Sequence, residues 1–250
     1  LTLDGGTINH TVGNELSLAR QGGRCEINIC GGTFNNANMN TMFQPTSGFG
    51  SGTGIVNLCA GSLITAPLQN PFGAPAFLNF CGGTLAPSGD SAIFVPNTMS
   101  NVYAFGAYSG FAGGAVIDSN GKAIAIPAVI RNPTGQGVAS IAVASTGAGY
   151  IGEPYVSIEG GSGTGATAVA NLVDDGTGRG TFSVGSVTVT CPGVGYAAMP
   201  TVLFKGGGFN IVTAQVGTVS LADNVGGGLT KIGTGTLTLS AANTYTGTTT

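Results

Sequence analysis

Charge is what this sequence lacks most. Lys, Arg, Asp and Glu together make up 7 % of its 250 residues, against about a quarter of an ordinary soluble domain. It has no tryptophan and a single histidine, His10. The seven basic residues are scattered from Arg20 to Lys231, and the net charge is −3. Phosphate binding needs a basic face, so no nucleic-acid partner is expected. No apolar run reaches about 18 residues, so no transmembrane helix is expected. The opening Leu1-Thr-Leu-Asp-Gly-Gly already reads as strand and turn, so any export signal is expected to have been removed or to lie elsewhere. The five cysteines, Cys25, Cys30, Cys59, Cys81 and Cys191, include no C-x-x-C pair. With one histidine beside them, a zinc site is not expected. The ten acids are spread thinly, whereas glycoside chemistry needs paired carboxylates on one face. His10 lies in a polar turn, and no enzymatic activity is expected. The glycine clusters 50–54 and 161–165 carry neither G-x-G-x-x-G nor GK[ST], so they read as turns rather than nucleotide loops.

What the sequence has is glycine, 46 residues of it, without a period of three. That excludes collagen and leaves a β-rich fold with many tight turns. Four segments share one pattern: LTLDGGTI (1–8), EINICGGTF (26–34), IVNLCAGSLI (55–64) and FLNFCGGTL (77–85). Each is an alternating strand, a glycine corner and a second short strand. The corner glycines Gly6, Gly32, Gly61 and Gly83 are 26, 29 and 22 residues apart. That spacing predicts one coil of a solenoid per repeat, each coil burying its apolar face on the next. The alignment puts Asp4, Cys30, Cys59 and Cys81 in one column. Stacked strands lie about 4.8 Å apart and a disulfide spans Cα separations of about 4.4–6.8 Å, so Cys30, Cys59 and Cys81 form either a disulfide between rungs or a ladder of packed thiols. In an oxidising compartment the odd count leaves one thiol over, and Cys191 is the candidate for an interchain bond. Residues 35–54 and 86–112 are irregular. The second stretch carries Tyr103, Phe105 and Tyr108, a candidate surface for assembly or adhesion. Residues 113–131 read as a hairpin-like or coil-like strand pair around Asp118–Gly121.

The sharpest repeat is in the middle. Residues 138–162 align with 184–208 at a constant offset of 46, including Gly147-x-Gly149-Tyr150 and Gly193-x-Gly195-Tyr196. Two related β units are expected, packed together as an insert or knob, with each tyrosine covering a small core and Pro154 and Pro200 starting strands. Asp174 and Asp175 sit in a glycine turn and are a weak candidate for calcium, which wants six to eight oxygens.

Residues 226–250 read GGGLTKIGTGTLTLSAANTYTGTTT: two strands, glycine turns and a polar corner. The pattern GGLTK-x-G-x-GTLTLS-x-ANTYTG-x-T resembles the autotransporter-associated β-strand repeat over residues 226–249. That resemblance implies a secreted or surface-displayed bacterial protein with a long parallel β-helix and no catalytic residues in the repeat. The sequence therefore predicts an all-β chain, a parallel β-solenoid carrying the tandem Gly-x-Gly-Tyr module. The expected parts are solenoid coils over 1–131, the tandem module over 132–208 and a return to the solenoid over 209–250. Joining the tail to the head gives TYTG-TTT-LTLDGGTI, which continues the repeat. The expected function is an extracellular structural fibre, a homo-polymer whose ends at Leu1, Leu3, Thr248 and Thr250 stack on one another. The alternative is an adhesin that binds a host surface or glycan through its aromatic residues.

Overall fold

The computed structural model describes residues 1–10, 15–19, 23–37, 40–43, 52–208 and 212–250. The described residues form strands, turns and bends, and two compact units: residues 1–133 with 225–250, and residues 134–224. Strands are numbered in chain order.

The first unit is a parallel β-solenoid. Strand β1 (Thr2–Asn9) lies along β3 (Arg24–Asn36), with Leu3 opposite Ile29 and Thr7 opposite Thr33. Strand β3 feeds two ladders. Its first half leads to β5 (Thr53–Leu58), β7 (Ala76–Phe80), β9 (Asn101–Ala104) and β12 (Ile130–Arg131). Its second half leads to β6 (Ser62–Thr65), β8 (Thr84–Pro87), β10 (Ala115–Asp118) and β19 (Leu229–Ile232). A further ladder joins β11 (Ala123–Ile126) to β20 (Thr236–Leu239), and a short one joins β2 (Glu15–Leu18) to β4 (Asn40–Phe43). Parallel strands cannot be joined by a tight hairpin, so each coil travels round the solenoid before the next rung. The stretch 113–131 takes the coil-like form: β10 and β11 belong to different ladders, joined by a turn with positive φ at Asn120 and Gly121.

The register stacks like on like. Ile27, Val56, Leu78, Val102 and Ile130 form one buried column, and Ile29, Leu58, Phe80 and Ala104 another. Burying each such large side chain stabilises the fold by about 1.5–3 kcal/mol. The glycine corners stack too. A Cβ on Gly61 would lie 2.5 Å from the Gly31 carbonyl oxygen, and one on Gly83 would lie 2.8 Å from that of Gly61. Glycine here is a matter of room, because successive corners touch through their backbones.

The second unit is antiparallel. It contains β13 (Gln136–Ser145), β14 (Tyr155–Glu159), β15 (Thr167–Asp174), β16 (Phe182–Cys191), β17 (Thr201–Lys205) and β18 (Gln215–Asp223). Strands β16 and β17 begin and end 46 residues after β13 and β14. The pairing is crossed: β13 with β18, β15 with β16, and β14 with β17. Each pair joins a strand of the first repeat to a strand of the second. Tyr155–Val169 is the one strand pairing inside a repeat among the described residues. Because β18 pairs with β13, residues 215–223 lie in this unit and the chain re-enters the solenoid at Val225.

Candidate functional site

The solenoid carries a polar ladder on the face opposite Ile27 and Ile29. Asn57 Nδ2 donates to Asn28 Oδ1 at 2.7 Å, and Asn79 Nδ2 donates to Asn57 Oδ1 at 2.8 Å. All three asparagines are buried. A buried amide is tolerated when its hydrogen bonds are made, and an in-register stack makes them rung by rung. The ladder stops at Asn79, whose Oδ1 is buried with no hydrogen-bond partner among the described residues. The next rung places Tyr103 there instead of asparagine. The sequence reading missed this ladder, although each asparagine stands two residues before Cys30, Cys59 or Cys81.

The cysteines occupy neighbouring rungs at the corner. Cys59 N donates to Ile29 O, and Cys81 N to Leu58 O, continuing the strand register. Cys59 and Cys81 are buried, Cys30 and Cys25 half-buried. No disulfide forms among the described residues. Tyr108 Oη donates to Cys81 Sγ at 2.7 Å, closing the column. Tyr108 belongs to a chain of rings: Tyr103, Phe105, Tyr108 and Phe111, with successive centroids 5.9, 6.0 and 5.7 Å apart. Phe105 is 1 % exposed, so its ring is interior. Tyr103 and Tyr108 are half-buried and present only part of each ring.

His10 is half-buried, its Nδ1 2.8 Å from Asn36 Oδ1. A concavity of about 420 Å³ opens beside β11 and β20, lined by Ser91, Thr236 and Thr238 among others. Asp90 is the one ionisable residue lining it, and Asp90 Oδ1 accepts from Ala123 N. The glycine cluster 50–54 falls partly outside the described residues, at Gly50 and Ser51.

In the second unit, both oxygens of Asp175 are engaged by the turn. Oδ1 accepts from Thr177 N and Thr177 Oγ1, and Oδ2 accepts from Thr181 Oγ1 and Gly149 N. The Thr181 hydroxyl, then those from Thr177, hold its pKa down to about 2. Asp174 accepts from Gly176 N. A cation at Asp174 and Asp175 would have to compete with these donors. Among the described residues, no group of three or more His, Cys, Asp or Glu is placed to hold a metal ion. Cys191 is fully buried, so an interchain bond through it requires the unit to open. On the exposed side of β14 and β17, Lys205 bridges Glu159 at 2.7 Å and reaches Ser157 Oγ at 3.0 Å. The Lys205 hydrogen bond, then that of Ser157, lowers the Glu159 pKa.

The four residues read as assembly ends lie as rungs on their neighbours. Leu3 is buried opposite Ile29, and Leu1 O accepts from Asn28 N. At the other end, Leu229 N donates to Thr248 O, and Thr250 N donates to Leu229 O. Ile130 N donates to Asn243 Oδ1 at 2.7 Å, and Thr244 N donates to Ile130 O. Residues 243–250 therefore form a further partial coil on β12 and β19. No helix among the described residues is long and apolar enough to cross a membrane.

Comparison with known families places a match on this segment: residues 229–250 match the passenger-associated-transport-repeat family. No curated protein and no solved structure matches the chain.

Proposed function

We propose that the chain is a secreted structural protein of the bacterial surface, whose solenoid is continued from copy to copy into a fibre. A passenger-associated repeat implies a secreted or surface-exposed protein, and that supports the location. The observation that carries the fibre is the register of the matched repeat. Residues 243–250 stack on β12 and β19 by the same parallel backbone bonds that join the earlier rungs. Such a surface accepts another rung of the same kind, whichever copy supplies it. The low charge, 7 % of residues, supports it further by leaving little like-charge repulsion between copies. On this reading the chain has no reaction of its own and needs no cofactor.

A second reading, an adhesin passenger, is favoured by one observation: Tyr103 and Tyr108 present half-exposed rings in a single aromatic row. Negative-stain electron microscopy of the purified chain separates the two. Ordered filaments formed without any ligand support the fibre. Monomeric rods that bind a glycan surface, and lose that binding in Tyr103→Ala and Tyr108→Ala, support the adhesin.

A further inference from the structure

We propose that copies of this chain assemble by exchange: residues 182–250 of one copy dock on residues 1–174 of another, with Asp175–Thr181 as the hinge. This deepens the fibre reading and rests on it in one respect, that exchange handed from copy to copy gives an open filament rather than a closed pair.

The pairing pattern carries the inference. Every strand described after the hinge finds its ladder partner before it. Strand β16 lies on β15, β17 on β14 and β18 on β13. Beyond Val225, β19 lies on β10, β20 lies on β11, and Thr244 bonds to Ile130. The chain is thus two complementary pieces, 1–174 and 182–250, and a seven-residue segment is their covalent tie. Nothing in those interfaces depends on the two pieces belonging to one molecule. Exchange remakes each strand pairing and each buried column, and changes only the hinge and the translational freedom of the copies.

The hinge suits this. Gly176, Gly178 and Gly180 all have positive φ, and a Cβ on any of them would meet nothing within 4 Å. These glycines face open space, and straightening the loop sacrifices the Asp175 N to Thr181 O bond and the Asp175 side-chain contacts, the one to Gly149 N among them. Extended, its seven residues reach about 23 Å, enough to carry the second piece away from the first. Reciprocal exchange between two copies closes a dimer. Exchange passed on from each copy to the next leaves one acceptor and one donor open, and the chain of copies grows.

The test uses Ser140 and Ser220, whose hydroxyl oxygens lie 2.6 Å apart on β13 and β18, on opposite sides of the hinge. Full-length chains carrying Ser140→Cys and chains carrying Ser220→Cys are mixed, taken through mild urea and back, and oxidised. Peptide mass spectrometry then looks for a link between positions 140 and 220 of different chains. The expected result is an interchain link in a large fraction of the protein, rising with concentration. The proposal is overturned if a chain carrying both substitutions links within itself while the mixed single variants stay unlinked. A second variant deletes residues 175–181, joining Asp174 directly to Phe182, its cross-strand partner. No reversal of the chain remains, so the folded protein is expected as dimers or longer species by light scattering, and a folded monomer contradicts the proposal. Filaments formed by the mixed single variants without the 140–220 link overturn exchange and leave the fibre reading standing. Links without filaments support exchange as closed pairs and count against the fibre.

Discussion

Ser157 and Leu203 hold the same position in the two halves of the inserted unit, 46 residues apart, and they face each other across the β14–β17 pair. A strand that pairs antiparallel with its own repeat does so about a local twofold axis. The surrounding bonds are accordingly made twice. Tyr150 N donates to Phe182 O and Tyr196 N to Gln136 O; Ile151 N donates to Gly207 O and Ala197 N to Gly161 O. Each tyrosine ring lies against the glycine corner of the other repeat, Tyr150 on Gly207 and Tyr196 on Gly161. Neither half has a core without its counterpart, which is why exchange costs so few contacts.

Tyr150 is the most demanding residue of that arrangement. It is fully buried, and its hydroxyl accepts from Ala214 N at 2.8 Å. Tyr150→Phe strands that N–H and is expected to destabilise the unit by about 1–3 kcal/mol. Tyr150→Ala also empties the core and is expected to cost about 3–5 kcal/mol. Urea unfolding followed by tyrosine fluorescence measures both; equal effects would place the whole cost in the hydrogen bond and none in the packing of the ring, and no effect of Tyr150→Phe would place it elsewhere than in the hydrogen bond.

The asparagine ladder predicts an order rather than a single value. Asn57→Val orphans two groups, Asn28 Oδ1 and Asn79 Nδ2, and is expected to cost about 2–4 kcal/mol. Asn79→Val removes one ladder bond, that to Asn57 Oδ1, and also removes an oxygen that is already unpartnered among the described residues. Its cost is expected to be the smaller by about 1–2 kcal/mol. Thermal unfolding of the two variants in parallel reads the difference, and a reversed order would contradict the ladder.

The corners give a paired prediction. Gly61→Ala drives a methyl against the Gly31 carbonyl, whereas Gly5→Ala meets nothing within 4 Å. The first is expected to destabilise the solenoid by about 1–3 kcal/mol and the second to lie near zero. Chemical denaturation of both variants decides whether stacked backbones set the choice of glycine.

Acid acts on the hinge turn. The folded pKa of Asp175, about 2, lies below its ordinary 3.8, so its carboxylate form favours the folded turn. That stability is fully present above about pH 4 and is lost as the pH falls toward 2. Carboxyl NMR titration should give a midpoint near 2 for Asp175. In Asp175→Asn, the part of the acid dependence that lies between pH 4 and 2 should be flattened, and an unchanged profile would assign it to other groups.

Much of this was legible in the sequence. Period-two strands and stacked Gly6, Gly32, Gly61 and Gly83 announce coils, because each rung repeats the backbone problem of the last. The Gly-x-Gly-Tyr match announces two like halves. It does not announce that β13 pairs with β18, since pairing partners are set by tertiary packing and the aligned stretch ends at residue 208. Phe105 read as a surface ring because aromatic spacing carries no sign of which side is covered. The ladder of Asn28, Asn57 and Asn79 was open to reading but was overshadowed by the cysteines beside it.

Fibre diffraction from the assembled chain tests the central claim most directly. Solenoids joined along their axis carry rungs about 4.8 Å apart in one direction through every copy. The account predicts oriented filaments with a sharp reflection near that spacing on the meridian. Failure to form filaments, or filaments in which that reflection lies off the meridian, would contradict it.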